Sequence, residues 1–259
     1  MLQDFVAVWL AAYAVNLALY GAGGWVILWW NRRHPDRRIQ PDRDGLRRAR
    51  IEIRESVLSI AVTAACLAAA LVLQAHGLTL GAPLETTWLS VLGMLALTTV
   101  LYDAWFYWAH RLLHTRRLWR FHRGHHKAVA PTVWSTDAQS VVETLMLQLF
   151  LVAAAVLLPI PPLALIAHRV VDHVNGALGH SGFEYFAGPA ARAPWPGLCA
   201  TFHDRHHERF TVNYANFFSV WDRWMGTLDP DYDRDVAAME SGVPGTVGRS
   251  ETAARGSAR

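Results

Sequence analysis

Eight histidines fall in three tight clusters: His110 and His114, then His122, His125 and His126, and far downstream His203, His206 and His207. Neutral imidazole is the commonest side-chain ligand for transition metals, and one tetrahedral ion needs about four donors. Eight clustered imidazoles therefore point to two ions. His110 and His114 are four apart at the end of a helical run, so they project from one face. The H-x-x-H-H pattern occurs twice, and on a helix its first two histidines face together with the third beside them. A lone copy would read as a polar helix end. Two copies plus H-x-x-x-H, in a chain whose other polar runs are built from arginine, read as a metal centre. The only cysteines, Cys66 and Cys199, leave neither a disulfide framework nor a thiolate site. Imidazoles alone suit iron, zinc, copper or nickel. All three clusters border long apolar stretches, which implies a substrate drawn from the lipid phase. Ions held beside apolar helices reach mostly C–H bonds, chemistry open to an oxygen-activating iron pair and closed to Lewis-acid zinc.

The elements that must position these rings are apolar and helical. The chain has 259 residues, 53% hydrophobic. Phe5 to Trp30 carries no charge, Ser56 to Ala75 is a second such run, and Leu89 to Ala109 is a third, interrupted only by Asp103. Each is long enough to cross about 30 Å of hydrocarbon. Leu145 to Ala167 is broken by Pro159, Pro161 and Pro162, which predicts two half-length helices or a re-entrant hairpin. The expected fold is all-α: an integral membrane bundle of three long spans and a proline-broken hairpin under a histidine-rich helical cap. Residues 1–235 form one domain; 236–259, rich in Ala, Gly, Ser and Arg, is expected to be a disordered tail. No cleavable signal is evident, since the N-terminal apolar run is too long and lacks a basic lead.

Charge orients the bundle. Asn31 to Glu55 carries nine arginines and His110 to Lys127 adds Arg111, Arg116, Arg117, Arg120, Arg123 and Lys127, whereas His76 to Thr87 has neither Lys nor Arg. The positive-inside rule puts both basic segments, and with them all three clusters, on the cytoplasmic side and the N-terminus opposite. Headgroups account for these arginines, so the net charge of +3 does not imply nucleic acid.

Further candidates surround the clusters. Asp103, two turns before His110, is a carboxylate inside a span, expensive and so functional; its expected task is to accept a ring N–H from a ligating histidine, with Tyr107 between them. His180, in Gly179-His180-Ser181-Gly182, returns to the clustered face and is expected to be a ligand. His173, next to Asp172, is a further one, with His168 the alternative. His34 and His76 lie in remote loops and take no role.

The motifs then resemble a known family. Asp103-x-x-x-Tyr107-Trp108-x-His110-Arg111-x-x-His114 and His122-x-x-His125-His126 look like the first two histidine boxes of the fatty acid hydroxylase/sterol desaturase superfamily. Asn175 and Gly179-His180-Ser181-Gly182-Phe183-Glu184 resemble its intermediate motif. His203-x-x-His206-His207-x-x-Phe210-x-x-Asn213-Tyr214-Ala215 and Trp221-Asp222-Arg223-x-x-Gly226-Thr227 resemble its third box and the signature beyond. The three-residue spacing within the first box leans to the sterol-desaturase side. The resemblance implies a di-iron membrane oxygenase that uses O₂ to hydroxylate or desaturate a sterol, fatty acyl chain, carotenoid or alkyl ether, with zinc able to substitute in the purified protein. It implies as ligands His110, His114, His122, His125, His126, His180, His203, His206 and His207, with His173 the tenth. Asp103, Tyr107, Asn213, Asp222 and Arg223 would support the ligands or pin the third box. Trp105, Trp108, Trp134, Trp221 and Trp224 are candidates to line the substrate pocket. No dinucleotide, iron–sulfur or haem motif is present, so electrons are expected from an external ferredoxin, cytochrome b5-like protein or reductase. The competing classes are a zinc hydrolase, which wants three ligands and a nearby Glu, and a non-catalytic metal transporter or sensor, whose site belongs at mid-membrane.

Overall fold

The computed structural model describes residues 1–241. Among them it is helical throughout, with only isolated bridges between Arg38 and Phe183 and between Gly197 and Phe218. Three long apolar helices, α1 (Leu2–Asn31), α2 (Ala49–Ala75) and α3 (Trp88–Leu113), are each able to cross a membrane by length and composition. A short α4 (Trp119–His122) precedes the hairpin of α5 (Val141–Leu157) and α6 (Pro162–Gly179). The cap is built by α7 (Ala200–Arg209), α8 (Val220–Met225) and α9 (Tyr232–Glu240).

The bundle carries apolar side chains on its outside. Leu10, Val15, Trp25 and Trp29 of α1 and Leu89, Leu92 and Val100 of α3 are exposed, while Asn16, Ser59, Thr63 and Thr144 are buried. Lipid is a better solvent than water for such a surface, and the inward hydroxyls then find each other, as Ser59 and Thr144 do at 2.9 Å. The protein is therefore membrane-associated. α2 lies between α1 and α5, and α3 packs on α5 and α6. Tyr102, Phe150, Leu151 and Leu165 form the core where these meet.

The prolines break the chain where the sequence places them, but the halves are not short. α5 and α6 have 17 and 18 residues, about 26 Å each at helical rise. Their tip reaches the far end of α2, where Gln74 Nε2 donates to the Ile160 carbonyl at 2.8 Å, and the α2–α3 loop closes over it through Leu84 N to Pro159 O at 2.9 Å. The hairpin is longer than expected because Ser140 caps α5 well before the apolar run begins, and α6 continues past it on an amphipathic sequence. The expected tail also begins too early: residues 236–240 complete α9, and Val236 and Met239 are buried against the cap. Both are apolar residues in helical spacing beside Tyr232. The remaining tail, 242–259, lies outside the described residues.

Close packing of α1 gives a first expected outcome. A Cβ on Gly24 would sit 2.6 Å from the Trp134 ring, and that ring is held because the Tyr20 hydroxyl donates to the Trp134 carbonyl at 2.8 Å. Gly24→Ala should therefore cost about 1–3 kcal/mol, read as a lowered thermal unfolding midpoint. Gly21→Ala, with open space at its Cβ, should leave the midpoint unchanged.

Candidate metal centre

Each clustered histidine stands at a helix end. α3 leaves His110 in its last turn and His114 at its C-cap. α4 and the 3₁₀ turn His125–Lys127 carry the second cluster, and His180 caps α6. α7 carries the third and is stopped by Phe210 in the left-handed region, φ 65°.

Nine rings meet in two groups, and within each group the candidate ligand atoms lie within 4.8 Å of one another. The first is His110, His114, His122, His126 and His206; the second is His125, His180, His203 and His207. The sorting cuts across the sequence clusters. His122 and His126 face the first group while His125 turns to the second; in α7, His203 and His207 face the second and His206 crosses to the first. Neighbouring Nε2 atoms of the first group are separated by 3.1, 3.1, 2.9 and 3.2 Å. Those of the second are separated by 3.2, 3.0 and 3.1 Å.

The outer ring nitrogens set the tautomer. Nδ1 of His110, His180 and His206 lies 2.8, 2.8 and 2.6 Å from the carbonyl oxygens of Tyr214, Gly176 and Val212. A carbonyl only accepts, so the proton sits on Nδ1 and the Nε2 lone pair points inward. His122 Nδ1 donates to Glu143 Oε1 at 2.8 Å in the same sense. Burial, and then the neighbouring rings, oppose protonation: His114 is driven down to about 2, and His122, His125, His203, His206 and His207 fall well below the ordinary imidazole value. His180 is held down to about 4 by burial. His110 and His122 thus turn Nε2 lone pairs on one another across 3.1 Å with no hydrogen between them, an arrangement that a cation relieves. With metal–nitrogen bonds of about 2.1 Å, donors at right angles stand about 3.0 Å apart and tetrahedral donors about 3.4 Å. The observed separations fit the former.

One cavity of about 320 Å³ touches both groups, through His110 and His122 on one side and His125, His180 and His203 on the other. It continues between α3, α5 and α6 past Tyr102, Leu147 and Gln148. Its volume is at the lower end for a small-molecule site.

The fatty acid hydroxylase family profile matches residues 95–227, which include all nine grouped histidines. The chain belongs to the fatty acid hydroxylase family. Curated relatives include methylsterol monooxygenase 1 of Gallus gallus, 34% identical over 129 residues, covering 49% of this chain and 43% of that protein. Cholesterol 25-hydroxylase of Rattus norvegicus is 34% identical over 140 residues, 51% of this chain and 47% of its own. Delta(7)-sterol 5(6)-desaturase ERG3A of Gibberella zeae is 30% identical over 143 residues, 53% and 39% respectively. The chain thus spans under half the length of these relatives. No solved structure matches it.

Within the family segment, several expected supports act at one remove. Asp103 does not reach a histidine. Its Oδ1 accepts from the backbone N–H groups of Asn216, Phe217 and Phe218 at 3.3, 2.7 and 3.1 Å. Seven residues of helix put it about 10 Å behind His110, too far for a ring N–H. Asp222 accepts from the backbone N–H of Tyr214 and Ala215 at 2.9 and 2.8 Å, fixing the strap whose Tyr214 carbonyl orients His110. Asn213, at φ 59°, donates to the Phe202 carbonyl and accepts from Asp229 N. Tyr107 bonds Thr227 and accepts from Arg111 instead of touching a histidine, and Arg223 pairs with Asp233. None of the five candidate tryptophans lines the cavity: Trp105 and Trp108 face an outer apolar groove, Trp224 is exposed, and Trp134 and Trp221 pack on Tyr20 and Tyr107.

Two middle-region candidates stay outside both groups. His173 lies against Asp137 and Arg169, and His168 is buried between Tyr102 and Phe150. The residue missed from the sequence is Glu143, fully buried on His122. Its signal was present: a carboxylate in the first turn of an apolar helix deserved the same reading as Asp103. The intermediate motif contributes Glu184, whose Oε2 accepts from the Thr201 backbone at 2.7 Å and anchors the start of α7.

Two outcomes follow. Glu143→Leu should weaken metal retention at the first group 10- to 100-fold and leave the second intact, as read by chelator competition; Glu143→Gln, which still accepts from Nδ1, should keep most of it. In the metal-free protein, imidazoles with lowered values bind protons only on unfolding, so stability is greatest above the ordinary value of 6.5 and falls as pH drops towards the His180 value near 4. Each contributes up to about 1.4 kcal/mol per pH unit, measurable as the thermal midpoint from pH 8 to 5.

Proposed function

We propose that this protein is an O₂-dependent membrane oxidoreductase that hydroxylates or desaturates a lipid at an unactivated C–H bond, using two iron ions held by the nine grouped histidines. The observation that carries this is two sets of inward imidazole lone pairs opening on one cavity between membrane helices. Five donors at right-angle spacing in one set and four in the other match a redox metal better than a catalytic zinc, which uses three ligands and an open position. When bound, such an iron pair supplies the activation of O₂ and the removal of hydrogen from carbon.

The chain's own residues supply the rest. The carbonyls of Tyr214, Gly176 and Val212 and the Glu143 carboxylate hold Nδ1 protons and aim the rings. Leu147, Phe106 and Tyr102 keep the cavity wall apolar near the first group and admit a hydrocarbon in place of water. Positioning of the substrate against the two groups selects the carbon. The relatives named for methylsterol, cholesterol and a sterol desaturase support a sterol or similar lipid. Exposed Arg116, Arg117, Arg120, Arg123 and Lys127 surround the histidine end, which supports a cytoplasmic placement with the N-terminus opposite. An external ferredoxin, cytochrome b5-like protein or reductase would deliver electrons there.

Metal counting on protein purified and reconstituted with Fe(II) tests the reading, alongside lipid analysis of cells making the wild type or His206→Ala. Two irons per chain and O₂-dependent oxidised lipid are expected; His206→Ala and His203→Ala should each lose about one iron and the product. A single tightly held zinc with activity in the absence of O₂ would establish the hydrolase instead.

A further inference from the structure

Besides the histidines, part of the cavity wall is charged, although it lies inside a bundle with an apolar exterior. Arg169 on α6 donates through Nε to Asn16 Oδ1 at 3.1 Å and through Nη1 to Asp172 Oδ2 at 2.9 Å, and its Nη2 lies 3.5 Å from Asp137 Oδ1. Asp172 also accepts from Asn216 Nδ2 at 3.2 Å. His173 Nδ1 stands 3.4 Å from Asp137 Oδ2. Arg169, Asp137, His173 and Asp172 are only 4, 7, 6 and 9% exposed, and all four line the cavity together with Gln148.

Ionic groups at such depth are costly and are retained where they bind something. The metal groups do not need these. His173 belongs to neither set, and among the described residues no hydrogen bond links the four to a grouped histidine. One buried atom is poorly paired: Asp137 Oδ2 has His173 Nδ1 beside it at 3.4 Å and makes no hydrogen bond of good geometry. Burial alone would raise this carboxyl, but the facing His173 and Arg169 hold it below the ordinary carboxylate value. With only that long contact to His173, Oδ2 keeps the capacity to accept from a further donor. The single guanidinium already faces two carboxylates, so no cation remains for an acidic ligand.

We propose that this wall is a substrate subsite for the hydroxyl group of a neutral lipid, whose O–H donates to Asp137 Oδ2, and that it rejects free fatty acids. The inference rests on the oxygenase reading for what happens at the metal end, but not for the binding itself.

Equilibrium binding under anaerobic conditions tests it without turnover. The full-length, iron-loaded protein in detergent would be titrated with radiolabelled hexadecan-1-ol and competed with cholesterol, hexadecane and palmitate. Saturable alcohol binding is expected, with hexadecan-1-ol and cholesterol displacing the label at least tenfold better than palmitate or hexadecane. Asp137→Asn, checked for unchanged iron content, should weaken alcohol binding about tenfold and leave hexadecane unaffected. Absence of saturable alcohol binding, palmitate equal to the alcohols, or wild-type alcohol affinity in Asp137→Asn would each overturn the subsite. The wild-type selectivity decides the matter should Asp137→Asn fail to fold. Selective alcohol binding by a protein that oxidises no lipid would keep the subsite and remove the oxygenase; lipid oxidation without that selectivity would do the reverse.

Discussion

Repulsion between buried imidazole lone pairs governs this protein. Nine rings from α3, α4, the following 3₁₀ turn, α6 and α7 gather in two groups, and the outer nitrogens of His110, His122, His180 and His206 are tied to carbonyls or a carboxylate. For His110 and His122, whose Nε2 atoms face each other, no arrangement of protons satisfies both sides, because Nδ1 donates outward and burial opposes a second proton. The protein therefore holds an arrangement that is unfavourable until a cation enters, and the cap must be stiff enough to keep it.

That stiffness comes from carboxylates that never approach the metal groups. Asp103 gathers three backbone N–H groups of the 216–218 strap, Asp222 holds Tyr214 and Ala215, and Glu184 anchors the start of α7. The strap then lends its Tyr214 carbonyl to His110. Charge-assisted bonds of this kind are the strong ones in a low-dielectric interior. They let loops do the positioning that helices alone could not.

The membrane bundle supplies the other half of the design. Lipid outside and polar groups inside mean that α3, α5 and α6 can enclose a cavity whose walls vary from hydrocarbon to ion pair. The metal groups close one wall and the Arg169 network occupies another. The proposed subsite and the histidine groups thus meet different parts of α6, with Arg169 and His173 in its interior and His180 at its cap.

Residue order along the chain was enough to establish the spans, the proline break, the family and the clustered histidines as one ensemble, since hydropathy, helix period and ligand type are local properties. It could not say that His125 leaves His122 and His126 for the second group, or that His206 leaves His203 and His207. Helix period brings i, i+3 and i+4 near one another, and the expected pairing of i with i+3 gave way to i with i+4, because the packing of α7 against the second cluster decides which group each ring joins. The same limit hid Glu143 on His122 and sent Asp103 to a backbone strap, because both partners are distant in sequence or offset along the helix. His173 looked like a ligand for its neighbours in sequence, yet tertiary packing turned it towards Asp137. Chemistry was written in residue types; assignment of each group to its task needed the three-dimensional meeting of helix ends.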